Sequence, residues 1–246
     1  MSLARREFIV LFLAGLAGAA ALLPYQLALL TLPPGVPLSV VVAAGLVQSA
    51  ILIAIAVAAG LWFARRAGLG APVIEAVLRG EPVGPNVRAR LGPAILLGVA
   101  ASGIVLALDL FVFSPGLPAA LRDAAARPPW WAGALASLYG GVTEELLTRL
   151  FLLSLFAWLF TRVSRDARAY WAAVSVSAAL FGLGHLPATA LLVPLTPLVV
   201  ARALLLNGIP GLIFGWLYWR RGLEAAMIAH FSGDLVLHVL APASLG

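Results

Sequence analysis

The chain has 246 residues, of which 63% are hydrophobic and 11% charged, with a mean hydropathy of +1.05 and a formal net charge of +6. A globule of this size cannot hide so much apolar surface beneath a polar skin, and the same figures exclude a disordered chain and a nucleic-acid binder with a basic soluble surface. The absence of cysteine excludes disulfides and thiolate metal sites.

Crossing a hydrocarbon core of about 30 Å takes about 20 apolar helical residues. Seven stretches qualify: 8–30, 38–63, 91–114, 130–160, 170–187, 195–219 and 222–241. Strand-period alternation is absent, so the expected fold is all-α, a polytopic transmembrane helix bundle of about seven spans and not a β-barrel. The beginning of the chain, with Arg5 and Arg6, an apolar run and then Ala17-Gly18-Ala19, has the form of a signal peptide. Because further helices follow, the expectation is an uncleaved first span. Between the second and third spans, residues 64–90 contain an amphipathic run at 71–79 bounded by Gly and Pro, expected to be a cytoplasmic helix on the membrane surface. Pro194, Pro197 and Pro210 predict an irregular entry into the sixth span and a kink. No internal repeat or separate soluble domain is present; residues 1–129 form an N-terminal set of helices and 130–241 hold the candidate chemistry.

All 16 basic residues are arginine. With abundant Ala, Gly and Pro, this composition suits a GC-rich bacterial genome. Seven crossings put Arg5, Arg6, Arg65, Arg66, Arg79, Arg88, Arg90, Arg162, Arg165, Arg168, Arg220 and Arg221 on one side. The other side receives Arg122 and Arg127. The positive-inside rule then predicts a cytoplasmic N-terminus and an external C-terminus. An eighth crossing, made by splitting 188–219, would move Arg220 and Arg221 outside. Trp62, Trp130, Trp131, Trp158, Trp171, Trp216 and Trp219 all fall near expected helix ends, where the membrane interface favours an amphipathic ring.

A charge near the bilayer centre costs at least about 2.5–3.5 kcal/mol on insertion scales. The fourth span nevertheless contains Gly140-Gly141-Val142-Thr143-Glu144-Glu145-Leu146-Leu147-Thr148-Arg149. Glu145 and Arg149 are four apart with the acid first, the better order for an ion pair on one helical face. Glu144 points about 100° away and has no partner in its own helix. His185 lies near the far end of the fifth span, and His230 and Asp234 are four apart on the last. Measured from the cytoplasmic helix ends, Glu144 lies roughly 24 Å deep, His185 roughly 22 Å, Asp234 roughly 18 Å and His230 roughly 12 Å. Tilt and side-chain length allow these groups to meet in one cavity. Asp109 and His238, near outer ends, are expected to reach water. Arg202 is expected to snorkel or pair within the bundle, and Glu224 to suit the dipole at the start of the last helix.

Glu144-Glu145-x-x-x-Arg149, Phe181-x-x-x-His185 and His230-x-x-x-Asp234, in that order and on separate helices, resemble the signature of the CAAX protease and bacteriocin-processing family of intramembrane proteases. The resemblance covers about 130–241 and includes Gly208, Gly211 and Gly215 ahead of Trp216-Leu217-Tyr218. It implies an intramembrane endopeptidase related to the CAAX prenyl endopeptidase. In that family's terms Glu144 activates water with help from His185, His230 and Asp234 stabilise the oxyanion, and Glu145 with Arg149 holds the helix in place. Asp234 stands where the family has Asn or Asp, and the chain has one helix fewer than the eukaryotic enzyme.

The residues themselves suit an unpaired acid as general base with polar donors aimed at developing charge. No H-E-x-x-H is present, although Glu144, His185 and His230 could supply three ligands of an open zinc site. Glutamate-type and metal-dependent chemistry both stay open, with no cofactor assigned. The expected partners are a peptide or protein substrate, entering from membrane or cytoplasm, and the lipid bilayer; no nucleic acid is expected. The expected location is a bacterial cytoplasmic membrane. A non-catalytic immunity or scaffold protein would keep the same polar core for packing alone. A proton-coupled transporter would use it as a relay but would favour a repeat, which the sequence lacks.

Overall fold

The computed structural model describes residues 1–29, 35–83, 86–118 and 128–241, with backbone alone at 86–90. Arg122 and Arg127, the expected external arginines, lie outside the described residues, as do the side chains of Arg88 and Arg90. Among the described residues six helices are long and apolar enough to cross a membrane: α1 Leu3–Leu29, α2 Leu38–Ala67, α4 Leu91–Gly116, α6 Ala167–Ala190, α7 Pro197–Arg221 and α8 Leu223–Leu240. Between α2 and α4 lies the short α3, Pro72–Arg79. The remaining crossing, α5, is a continuous helical run over 130–160 that carries Glu144, Glu145 and Arg149. Among the described residues no strand occurs, so the chain is an all-α, multi-pass membrane bundle of about seven spans.

The local reasons for these boundaries are legible. α1 starts at Leu3, earlier than expected, and is interrupted at Leu22 beside Pro24, which has no N–H to continue the ladder. Pro197 opens α7 at a position where a missing N–H costs nothing, whereas Pro210 lies inside the helix. Gly222 alone separates α7 from α8, with φ of 98°, and a Cβ there would come within 2.6 Å of the Pro72 ring.

The centre of the bundle is α5. Its Leu146, Leu150 and Leu153 are fully buried with Ile53, Val57 and Leu61 of α2 and Phe214, Leu217 and Tyr218 of α7. Lipid tails are as apolar as leucine, so burial gives little drive for helices to associate, and close packing has to do so. Small residues allow it. Gly60 faces the Leu150 carbonyl, Gly98 packs on Ala229, and Thr143 Oγ1 donates to the Gly15 carbonyl at 2.8 Å. Val47, Ile51, Ile55, Leu96 and Phe111 point out of the bundle, where lipid solvates them.

One end of the bundle gathers Arg5, Arg6, Arg65, Arg66, Arg79, Arg162, Arg165, Arg168, Arg220 and Arg221, at the termini expected to share a side. Here α3 is tied into the protein rather than merely resting on lipid. The Ile74 N–H donates to Glu224 Oε1 at 2.7 Å, and the Leu223 N–H donates to the Gly70 carbonyl at 3.1 Å. Arg65 pairs with the buried Glu7 at 2.5 Å, and Tyr170 donates to the Ala67 carbonyl at 2.7 Å. Glu224 therefore holds a neighbouring helix as well as sitting in the first turn of its own. At the opposite end Arg202 takes the second of its two expected courses and pairs within the bundle, in a two-pronged ion pair with the partly exposed Asp109, 2.6 and 2.7 Å. His238 likewise packs edge-on against Tyr25, with ring centroids 5.5 Å apart.

Candidate active site

In the middle of α5 the backbone leaves regular α geometry. Residues Tyr139–Glu144 and Leu146–Leu153 are π-helical, between α-helical flanks Trp130–Leu138 and Ser154–Phe160. Such segments concentrate at functional sites, because an extra residue in a turn redirects the side chains around it. All three charged residues of the span fall in this region.

Glu145 and Arg149 form the expected ion pair, at 3.1 Å, and both are essentially inaccessible. The guanidinium also donates to Thr148 Oγ1 at 2.5 Å and to the Gly211 carbonyl at 3.3 Å, and lies 4.9 Å from the centre of the Phe181 ring. A planar fork with five donors suits such divided duty, since each partner takes a separate N–H. Phe181 thus binds α6 to the arginine of α5, and Gly211 binds α7 to it.

His230 of α8 occupies the centre. Its Nδ1 is 2.8 Å from Glu145 Oε1; a carboxylate only accepts, so this nitrogen carries the proton. Its Nε2 faces two further acids, 3.6 Å from Glu144 Oε2 and 3.6 Å from Asp234 Oδ2. The ring packs against Phe214 at 4.9 Å and Phe181 at 5.9 Å. Adjacent acids have therefore taken different positions. Glu145 is sealed into the bundle, while the Glu144 side chain keeps 20% of its surface exposed.

The structure brings Glu144, Glu145, Arg149, Phe181, His230 and Asp234 into one contiguous cluster from α5, α6 and α8. His185 adjoins it through Phe181. Its Nδ1–H donates to the Phe181 carbonyl at 2.8 Å, and the two rings meet edge-on at 4.8 Å. In a neutral ring that leaves Nε2 as an acceptor. Among the described residues, no three His, Asp or Glu side chains are grouped to hold a metal ion. As arranged, Glu144, His185 and His230 do not form such a group.

Gly140 and Gly141 are part of the site, which their sequence alone did not reveal. A Cβ on Gly140 would collide with the Asp234 carboxylate and come within 3.2 Å of His230 Nε2. A Cβ on Gly141 would lie 2.7 Å from Phe231 Cβ. The pair lets α8 approach α5 closely enough for His230 to reach both glutamates. Two adjacent glycines one turn before the acids were the available signal, as small residues mark close helix contacts in membranes.

The family model for type II CAAX prenyl endopeptidase Rce1-like proteins matches residues 126–236, a span that includes every residue of the cluster. No curated protein and no solved structure matches the chain. Over the helices that build this site, the chain is similar to the Rce1-like family of type II CAAX prenyl endopeptidases, consistent with its resemblance to the CAAX protease and bacteriocin-processing family.

Proposed function

We propose that this protein is an intramembrane endopeptidase that hydrolyses a peptide bond with water activated by Glu144. The observation that carries the reading is the division of labour between the adjacent acids. Glu145 is buried against Arg149 and His230, whereas Glu144 is partly accessible and directed at His230 Nε2. A partly accessible carboxylate that is not tied to the arginine can take a proton from water as that water attacks a carbonyl.

In this mechanism Glu144 is the general base. His185, with Nδ1 bonded to Phe181, presents Nε2 as an acceptor that orients the same water. Attack on the peptide carbonyl places negative charge on its oxygen, and His230 donates to that oxyanion from Nε2. Because Nδ1–H is already given to Glu145, a His230 that donates from both nitrogens is an imidazolium, balanced by the carboxylates around it. Asp234, 3.6 Å from Nε2, keeps the ring directed at the oxyanion. Collapse of the tetrahedral intermediate needs a proton on the leaving amine, and Glu144 returns the one it took. Glu145 and Arg149 are positioning residues. The arginine bias puts the N-terminus in the cytoplasm, consistent with a peptide or protein substrate reaching the cavity from the cytoplasm or membrane of a bacterial cell.

The test is hydrolysis of a fluorogenic peptide library by purified protein and by Glu144→Gln. The expected result is a loss of at least about 100-fold, the contribution of a positioned general base, with an unchanged melting temperature. Equal cleavage by both proteins would remove Glu144 from the chemistry and favour a packing role for the polar core.

A further inference from the structure

At the arginine-rich end, away from the polar cluster, a cavity of about 370 Å³ opens between the α2–α3 turn and the α7–α8 turn. Gly68, Gly70, Gly222, Glu75, Arg220 and Arg221 contribute to its lining. Its charge is net positive. Glu75 is the one acid, and it already pairs with Arg79 at 3.0 Å. Arg220 is exposed, with its guanidinium 5.3 Å from the Trp219 ring.

A second hollow, also about 370 Å³, lies farther from the arginine-rich end along α7. Leu97, Trp171, Leu212, Ile213 and Trp216 line it, so α4, α6 and α7 present an almost wholly apolar surface. The two hollows are neighbours. Trp219 lines the first and meets Trp171 of the second edge-on at 5.9 Å, while Tyr170 stacks on Trp219 at 5.0 Å. Trp216 and Trp219 are three residues apart on α7, which is about 4.5 Å along its axis.

A cationic cavity at the interface, continued toward the membrane interior by an apolar groove, matches an amphiphile with an anionic head. Basic pockets at the ends of transmembrane helices select such headgroups, and tryptophan favours the glycerol level between head and tail. We propose that this cavity and groove bind one anionic phospholipid, with its phosphate at Arg220 and an acyl chain along Ile213 and Trp216. The lipid joins the α3 region to α6 and α7 without touching the polar cluster.

The experiment is native mass spectrometry of the whole, delipidated protein in non-ionic detergent. It is titrated separately with phosphatidylglycerol and with phosphatidylcholine of the same acyl chains, and with inorganic phosphate as competitor. One phosphatidylglycerol should be retained, about five-fold more strongly than phosphatidylcholine, the difference expected for one surface arginine. Arg220→Ala should remove that preference, Ile213→Trp should lower retention of both lipids by filling the groove, and Arg6→Ala at the same end should change nothing. Inorganic phosphate at millimolar concentration should not displace the lipid. Equal retention of both lipids by the unaltered protein, an Arg220→Ala variant that keeps the preference, or full displacement by phosphate would overturn the proposal. Should Arg220→Ala fail to fold, raising salt on the unaltered protein serves instead. The preference must fall as the headgroup attraction is screened, and a salt-independent preference refutes the site.

Discussion

Replacing Arg149 with Met tests the centre of the bundle most directly. Methionine approximates the length of the apolar stem but removes the guanidinium that bonds Glu145, Thr148 and Gly211 and lies over the Phe181 and Phe214 rings. Glu145 would then be a fully buried acid with one bond, to His230, because its Oε2 has no partner even in the intact protein. Breaking a buried ion pair from one side costs about 3–5 kcal/mol in water-soluble proteins. Polar contacts between membrane helices are usually worth less, about 0.6–2 kcal/mol, because the unfolded state in lipid also finds partners. A buried charge left with the His230 ring as its one partner belongs between these ranges, at about 2–3 kcal/mol by the same reasoning. For a chain of this size that is a fall in melting temperature of about 4–12 °C. Thermal unfolding in detergent of Arg149→Met, Glu145→Gln and the double variant forms a complete cycle. The double variant should be less destabilised than the sum of the singles by about 1–2 kcal/mol, since neither change then strands a charge. Strict additivity would mean that Glu145 and Arg149 do not sense each other, and the account of the buried pair would be wrong.

Two further outcomes follow from close contacts. Gly140→Ala should cost about 1–3 kcal/mol through overpacking and abolish peptide cleavage, because its methyl would displace Asp234 and His230; Gly208→Ala, which has open space around it, should leave stability and cleavage nearly intact. Activity and melting temperature measured on both variants check this, and a Gly140→Ala enzyme with normal cleavage would contradict the geometry. Glu224→Ala removes the acceptor for the Ile74 N–H and should cost about 1 kcal/mol, with faster hydrogen exchange confined to residues 72–79; unchanged exchange there would show that α3 is held by other contacts.

Much of this architecture is legible in the sequence because the bilayer narrows the choices. A run of about 20 apolar residues has few fates, so the crossings at Leu38–Ala67 and Pro197–Arg221 begin or end close to where apolarity changes. Charges inside spans were equally readable, since Glu145 and Arg149 could pair within one helix. What periodicity could not supply is the π-helical course of α5, because its i→i+5 bonding leaves no change in composition. Contacts between distant segments were also hidden. The bond from Ile74 to Glu224 and the pair of Arg202 with Asp109 depend on how helices are arranged, which hydropathy does not encode. The anchoring of His185 Nδ1 on the carbonyl four residues before it in its own helix was likewise not announced by motif spacing.

The adjacency of Glu144 and Glu145 has a physical logic that an isolated helix conceals. Neighbouring side chains point to different sides of a helix, so a single group can rarely touch both. Imidazole is an exception because its two nitrogens face different directions. His230 approaches α5 over Gly140 and Gly141, gives Nδ1–H to Glu145 and turns Nε2 toward Glu144. Through this ring the buried acid acts on the accessible one. Arg149 fixes Glu145, Glu145 fixes the ring, and the ring determines which nitrogen faces Glu144 and Asp234. An acid that is both anchored to arginine and free to take a proton would be a poor base, because its charge is already neutralised. Dividing the two duties between consecutive residues avoids that conflict. It also explains why the bilayer tolerates three charges within six residues of one span: two of them cancel, and the third keeps part of its surface accessible.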